Sequence, residues 1–222
     1  MVRLAQRARG EPCKLLTDSN ENATTKIDKK MKIVYFHGFG SSGSSGTVQL
    51  LAQLLPEVEI VAPDIPVDPA EALPYIKELC AKEQPDLVIG TSMGGMYAQQ
   101  MRDFKRICVN PAFNMSTMSK VLKTGEHQFF NRRKDNQKTF RITKDIIQHH
   151  NQMERQQFKD ITPEQKETCW GLFGINDPVV NTYDLFKKHY PNAIKFEGEH
   201  RLNEKVLKKV IIPLVKEILG IK

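Results

Sequence analysis

From residue 31 onward the chain alternates short apolar, β-branched segments with longer stretches of helical periodicity, and few folds accept that pattern. The apolar segments lie near 32–36, 58–62, 86–90, 106–109, 168–173 and 193–197. Continuous apolar runs, rather than apolar–polar alternation, mark strands covered on both faces. Separated by helices, they define an α/β protein with a mainly parallel sheet of about six strands and helices on both faces. The helices carry their own start signals. Asp68-Pro69-Ala70-Glu71 places a cap residue before a proline at the first helical position, and Leu73, Ile76, Leu79 and Cys80 then share one face until Pro85. A C-terminal helix is expected to bury a stripe of Val206, Val210, Leu214 and Ile218.

The alternation breaks between about 112 and 167. This polar stretch holds one clear helix, Thr143 to about Phe158, with Ile146, Ile147, His150, Met153 and Phe158 at helical spacing. Placed between two strands, it is expected to form a helical cap insertion over the strands' C-terminal ends, making 31–222 a single domain. Residues 115–166 carry eleven Lys/Arg against six Asp/Glu, residues 1–30 seven against four, and the remainder is about neutral within a net charge of +7. Such runs are usually solvated helix faces, but a basic cap also suits a substrate with a phosphate-bearing leaving group. No nucleic-acid partner is expected. The first thirty residues lack periodicity and the apolar stretch of a secretory signal, and are expected to be a disordered extension upstream of a start at Met31. Cys13, Cys80, Cys108 and Cys169 are far apart without C-x-x-C spacing, which suits buried free thiols in a cytoplasmic, reducing setting and no metal site. No apolar run is long enough to span a bilayer.

Open parallel sheets place their chemistry beyond the carboxyl ends of the strands. After the first strand comes His37-Gly-Phe-Gly-Ser-Ser-Gly43, whose Gly38-x-Gly40-x-x-Gly43 matches a dinucleotide fingerprint, with Asp64 near where a ribose-binding acid would lie. The same residues suit an oxyanion loop in which the Phe39 N–H faces a developing charge. Locally the two readings stay open. After the third strand comes Gly90-Thr-Ser92-Met-Gly94, the small-x-Ser-x-small pattern of a strained strand-to-helix turn that exposes a serine. Asn110-Pro-Ala112 follows the fourth strand and offers no carboxylate. Asp177 follows the fifth in a turn, and His200 follows the sixth.

Ser92, Asp177 and His200 thus occur in the chain order serine, aspartate, histidine, each beyond a separate strand. A nucleophile-elbow hydrolase requires that order, whereas a dinucleotide-binding protein requires none of the three. With His37-Gly-Phe-Gly-Ser-Ser42, Gly90-Thr-Ser-Met-Gly94, Val109-Asn-Pro-Ala112, Gly174-Ile-Asn-Asp177 and Glu199-His200, residues 31–220 resemble the α/β-hydrolase superfamily and, within it, the small YqiA-like bacterial esterases. The resemblance implies an α/β-hydrolase fold and a cofactor-free esterase or thioesterase. Ser92 would be its nucleophile, His200 its base, Asp177 the orienting acid, and the Phe39 and Met93 N–H groups its oxyanion hole. Phe113, Phe129, Phe130 and Phe140 are candidates to line an acyl pocket in the cap. The competing expectations are a dinucleotide-binding protein built on the Gly38–Gly43 loop and a non-catalytic binding protein of hydrolase fold.

Overall fold

A computed structural model describes residues 30–221. The expected extension at residues 1–30, and Cys13 with it, lies outside the described residues except for Lys30.

Six strands form one wholly parallel sheet: β1 (Lys32–Phe36), β2 (Glu59–Val61), β3 (Leu87–Thr91), β4 (Arg106–Val109), and, after the insertion, β7 (Cys169–Gly174) and β8 (Asn192–Phe196). The insertion carries β5 (Gly125–Gln128) and β6 (Thr139–Ile142), which pair antiparallel as a separate ribbon. The sheet order is β2-β1-β3-β4-β7-β8. The chain therefore runs outward from β1 to β2, then crosses back to place β3 on the other side of β1. A sheet that changes direction in this way opens a crevice between the carboxyl ends of β1 and β3.

Side chains alternate across the sheet, and each parity has its own core. Val34, Phe36, Val88 and Cys108 face α2 (Pro69–Glu83), α3 (Met93–Gln99), α4 (Lys144–Glu154) and α6 (Tyr183–Lys187). Ile33, Tyr35, Leu87, Ile89, Ile107 and Val109 face α1 (Gly46–Leu54) and the C-terminal helix. Both faces being covered accounts for the continuous apolar runs of the sequence. Asp68 caps α2 by accepting from the Ala70 N–H, and Pro69 takes the first helical position.

The C-terminal helix differs from the expected stripe. Its turns Glu204–Val206, Leu207–Ile211 and Ile212–Leu219 run on without interruption, but the middle one is π-helical and closes with the Ile212 N–H on the Leu207 carbonyl. Val206 and Leu214 of the expected stripe are buried and Val210 and Ile218 only partly so, while Leu207, Ile211, Ile212 and Val215 are buried beside them, so the covered face is wider than one stripe. Pro213, which has no N–H to donate, sits just beyond.

The insertion is not all helical. Besides α4 and the short α5 (Pro163–Glu167) it holds the β5–β6 ribbon, whose GEHQ and TFRI strands are too short and polar to declare themselves in sequence. Thr143 caps α4 by accepting from Ile146 N–H. A histidine pair ties this helix to the body. His149 Nδ1 lies 2.8 Å from an oxygen of the same Asp68 that caps α2. His150 is fully buried, and among the described residues neither of its ring nitrogens has a hydrogen-bond partner. Cys80, Cys108 and Cys169 are buried and free, and no helix among the described residues is long and apolar enough to cross a membrane.

Burial lowers the His150 pKa to about 4. The folded state therefore binds a proton less readily than the unfolded chain. The stability this represents is present above the unfolded pKa of about 6.5 and is lost as pH falls toward 4. On that linkage His150 alone removes roughly 2 kcal/mol between pH 7 and pH 5. Urea denaturation at the two pH values should show this drop, and His150→Leu should lessen it by about that amount; an unchanged drop in the variant would refute the assignment.

Candidate active site

Ser92 stands between β3 and α3 with φ 56° and ψ −120°, a conformation that L residues rarely adopt. The neighbouring glycines make it attainable. A Cβ on Gly90 would lie 2.0 Å from the Gly94 carbonyl oxygen, and one on Gly94 would lie 2.1 Å from the Phe36 carbonyl oxygen. Only hydrogen at both positions lets α3 fold back against β3 and β1. The turn is also held by its backbone: Ser92 N–H donates to Val109 O at 2.9 Å, and Ser92 O accepts from Met96 N–H and Ala112 N–H.

The structure brings the three expected residues together. His200 Nε2 lies 3.0 Å from Ser92 Oγ, and His200 Nδ1 lies 2.8 Å from Asp177 Oδ2. A carboxylate only accepts, so Nδ1 carries the proton and Nε2 presents its lone pair to the serine hydroxyl. Asp177 Oδ1 accepts from the Val179 and Val180 N–H groups at 2.7 and 3.0 Å, which fixes the carboxylate plane in the turn after β7. The Asp177 side chain is 2% exposed and that of His200 17%, so the chain of bonds runs from a dry interior to an accessible hydroxyl.

The loop after β1 flanks the serine. A Cβ on Gly38 would lie 3.4 Å from Ser92 Cβ, so this loop passes directly against the elbow. Among the described residues neither Phe39 N–H nor Met93 N–H is paired with a protein acceptor, and Met93 opens α3, where the helix presents its positive end. His37, at the loop's start, is an anchor that sequence reasoning left without a role. Its Nε2 accepts from Ile65 N–H at 3.0 Å and its Nδ1 donates to Gly38 O at 2.8 Å, and burial pushes its pKa down to about 4. Both nitrogens are thus committed to backbone in the neutral ring.

The tip of the β5–β6 ribbon grips the far side of the same loop. Phe130 N–H donates to Gly40 O at 2.7 Å, and Asn131 Nδ2 to Ser41 Oγ at 2.9 Å. Asp64 joins the two: Oδ1 accepts from Gly43 N–H and Oδ2 from Lys134 N–H. The expected ribose-binding acid is therefore a bracket, with each oxygen already on a backbone donor. In addition, α1 begins only at Gly46, beyond the glycine fingerprint, so Gly40 does not open a helix onto a pyrophosphate.

The four candidate pocket phenylalanines divide. Phe129 and Phe140 pack together at 4.5 Å between ring centroids, Phe39 meets Phe140 edge-on at 5.3 Å, and Phe130 is 70% exposed beside Gly40. Phe113, in contrast, is 1% exposed and packed against Phe158 and Phe186, so it is core and has no surface to offer a ligand. A groove of about 750 Å³, lined by Lys77, Gln84, Arg102 and Phe104 among others, includes none of the site residues.

A six-stranded parallel sheet with a serine elbow at its crossing point and an aspartate and histidine beyond later strands defines the α/β-hydrolase fold, and comparison with known proteins agrees. The chain belongs to the uncharacterised protein family UPF0227, whose model matches residues 32–211. Among solved structures it is similar to Est1E from Butyrivibrio proteoclasticus, at 14% identity and a TM-score of 0.63, over 89% of this chain and 91% of that one. It is also similar to a monoacylglycerol lipase of Paleococcus ferrophilus, at 14% identity and a TM-score of 0.61, over 85% of this chain and 94% of the lipase. An esterase of Pyrococcus furiosus aligns at 16% identity with a TM-score of 0.55, over 86% and 82% of the two chains. At such identities the likeness is one of fold.

The elbow glycines generate a paired expectation. Gly94→Ala drives a methyl into a backbone oxygen and should lower stability by more than about 2 kcal/mol. Gly46→Ala, at the open start of α1 with nothing within 4 Å of its Cβ, should be neutral or slightly stabilising. Thermal melts of the two proteins decide it, and equal losses would contradict the close approach.

Proposed function

We propose that the protein is a serine hydrolase acting on carboxylic esters or acyl thioesters. The observation that carries this reading is the unbroken chain Asp177–His200–Ser92 ending at a serine on a strained elbow. In the reaction the Ser92 hydroxyl attacks the acyl carbonyl while His200 Nε2 takes its proton. Asp177 holds the tautomer and balances the imidazolium that forms. The Phe39 and Met93 N–H groups donate to the oxyanion. His200 then returns the proton to the departing alcohol or thiol, and a water deprotonated by His200 hydrolyses the acyl-enzyme.

The insertion at about 112–167 would act as the cap. Phe129, Phe130 and Phe140 beside the oxyanion loop offer an acyl chain apolar surface, while exposed Arg132, Lys134 and Lys138 surround it with positive charge. That charge suits a phosphate-bearing thiol leaving group such as that of an acyl-CoA. Buried free thiols support a reducing, cytoplasmic setting.

A fluorophosphonate probe should label Ser92, shown by peptide mapping. Ser92→Ala should abolish labelling and lower ester hydrolysis by at least about 10³-fold while keeping the fold. Labelling elsewhere, or a Ser92→Ala protein of near wild-type activity, would end this reading. Raising salt should increase KM for an acyl-CoA and leave KM for a neutral ester unchanged; equal responses would remove the role given to the basic cap.

A further inference from the structure

The turn after β4 holds no carboxylate, yet it contains the side chain on which the loops of the site converge. Asn110 follows β4 directly, is 2% exposed, and adopts φ 43°, a left-handed conformation that asparagine tolerates better than most residues. Its carboxamide has a partner on each side. Oδ1 accepts from Gly174 N–H at 2.7 Å, where the Asp177 turn leaves β7. Nδ2 donates to Glu199 O at 3.0 Å and to His200 O at 3.2 Å. The amide orientation follows from these partners, because a flipped group would set donor against donor and acceptor against acceptors.

The backbone beside Asn110 holds the third element. Val109 O accepts from Ser92 N–H, Ala112 N–H donates to Ser92 O, and Asn110 N–H itself donates to Leu172 O on β7. One four-residue stretch therefore binds the serine elbow through its main chain and the acid and histidine loops through one side chain. The three reacting residues lie on separate loops, Ser92 and His200 being separated by 108 in the chain numbering. Their spacing depends on what joins those loops, and the acid and histidine loops already touch: a Cβ on Gly174 would lie 2.6 Å from Gly198 O and 2.9 Å from Glu199 O.

We infer that Asn110 is a positioning residue of the active site, setting the His200 loop against the Asp177 turn and Ser92. The inference rests on the hydrolase reading above. Only a carboxamide serves here. Aspartate has the same shape but would turn an acceptor toward two carbonyl oxygens, and alanine would leave the half-buried Gly174 N–H and two carbonyls without this partner.

The test uses wild type, Asn110→Ala and the isosteric Asn110→Asp, with active sites counted by the burst of p-nitrophenol from p-nitrophenyl acetate, so that each rate refers to competent sites. Turnover per titrated site, and the rate of Ser92 phosphonylation by a fluorophosphonate, should both fall by about 10- to 100-fold in the variants, with KM within about threefold. A merely structural role would lower the melting temperature or the number of titratable sites and leave turnover per site intact. Asn192→Ala removes a side-chain bond to Glu167 O from the start of β8 and serves as the control, with wild-type turnover per site. Wild-type turnover per site in both Asn110 variants, or an equal loss in the control, would overturn the inference. A wild type that the probe fails to label would instead bring down the hydrolase reading, and this inference with it.

Discussion

The structure depends on one close approach of main chain to main chain. Where β3 turns into α3, the helix returns so sharply that Gly94 lies under the Phe36 carbonyl of β1 and Gly90 under the carbonyl of Gly94. This contact leaves no room for a methyl group. It forces Ser92 into its strained conformation and lifts the hydroxyl out of the fold, beside the crevice that the sheet order opens between β1 and β3. The strain is sustained by the bonds from Ser92 to Val109, Met96 and Ala112, which leave the turn no cheaper arrangement.

Around that elbow the loops are joined by buried groups that mostly carry no charge. His37 binds the loop after β1 to the segment after β2 as a neutral ring, and Asn110 binds the acid and histidine loops as an amide. A neutral group with every partner in place holds geometry without the desolvation that an ion would suffer in the interior. Asp64 is half-buried with two backbone donors, while Arg132 and Lys134 project to solvent from the ribbon tip. The ribbon so becomes part of the wall of the site, since Phe130 and Asn131 bond the loop after β1 that passes against Ser92.

The parts legible in sequence are those with local causes. All six strands of the main sheet lie within a residue or two of the apolar runs that announced them, and the proline-led start of α2 falls at Asp68 as expected. Ser92, Asp177 and His200 were readable because each follows a strand, and a parallel sheet delivers all strand ends to one edge. The ribbon was missed because its strands bury one narrow side and alternate weakly. Phe113 was misplaced because an aromatic residue in a polar stretch carries no mark of which side it packs against. The π-helical turn before Pro213 left no periodic trace, and the buried face there takes in Leu207, Ile211 and Val215 as well as Val206 and Leu214 of the stripe.

By itself, then, the sequence determined the layered α/β architecture and the order of the three chemical groups, both of which follow from apolar periodicity and from residue types at strand ends. Tertiary structure alone decided the rest. Asp64 and Asn110 lie beyond strand ends like any candidate ligand or acid, and their chemistry in isolation is the same. What makes the first a bracket and the second a hub is which backbone N–H and carbonyl groups the fold brings opposite them, from segments 21 and 70 residues away for Asp64 and 64 to 90 away for Asn110. Hydrogen-bond partners at such separations are set by packing of the whole sheet, and no local pattern encodes them.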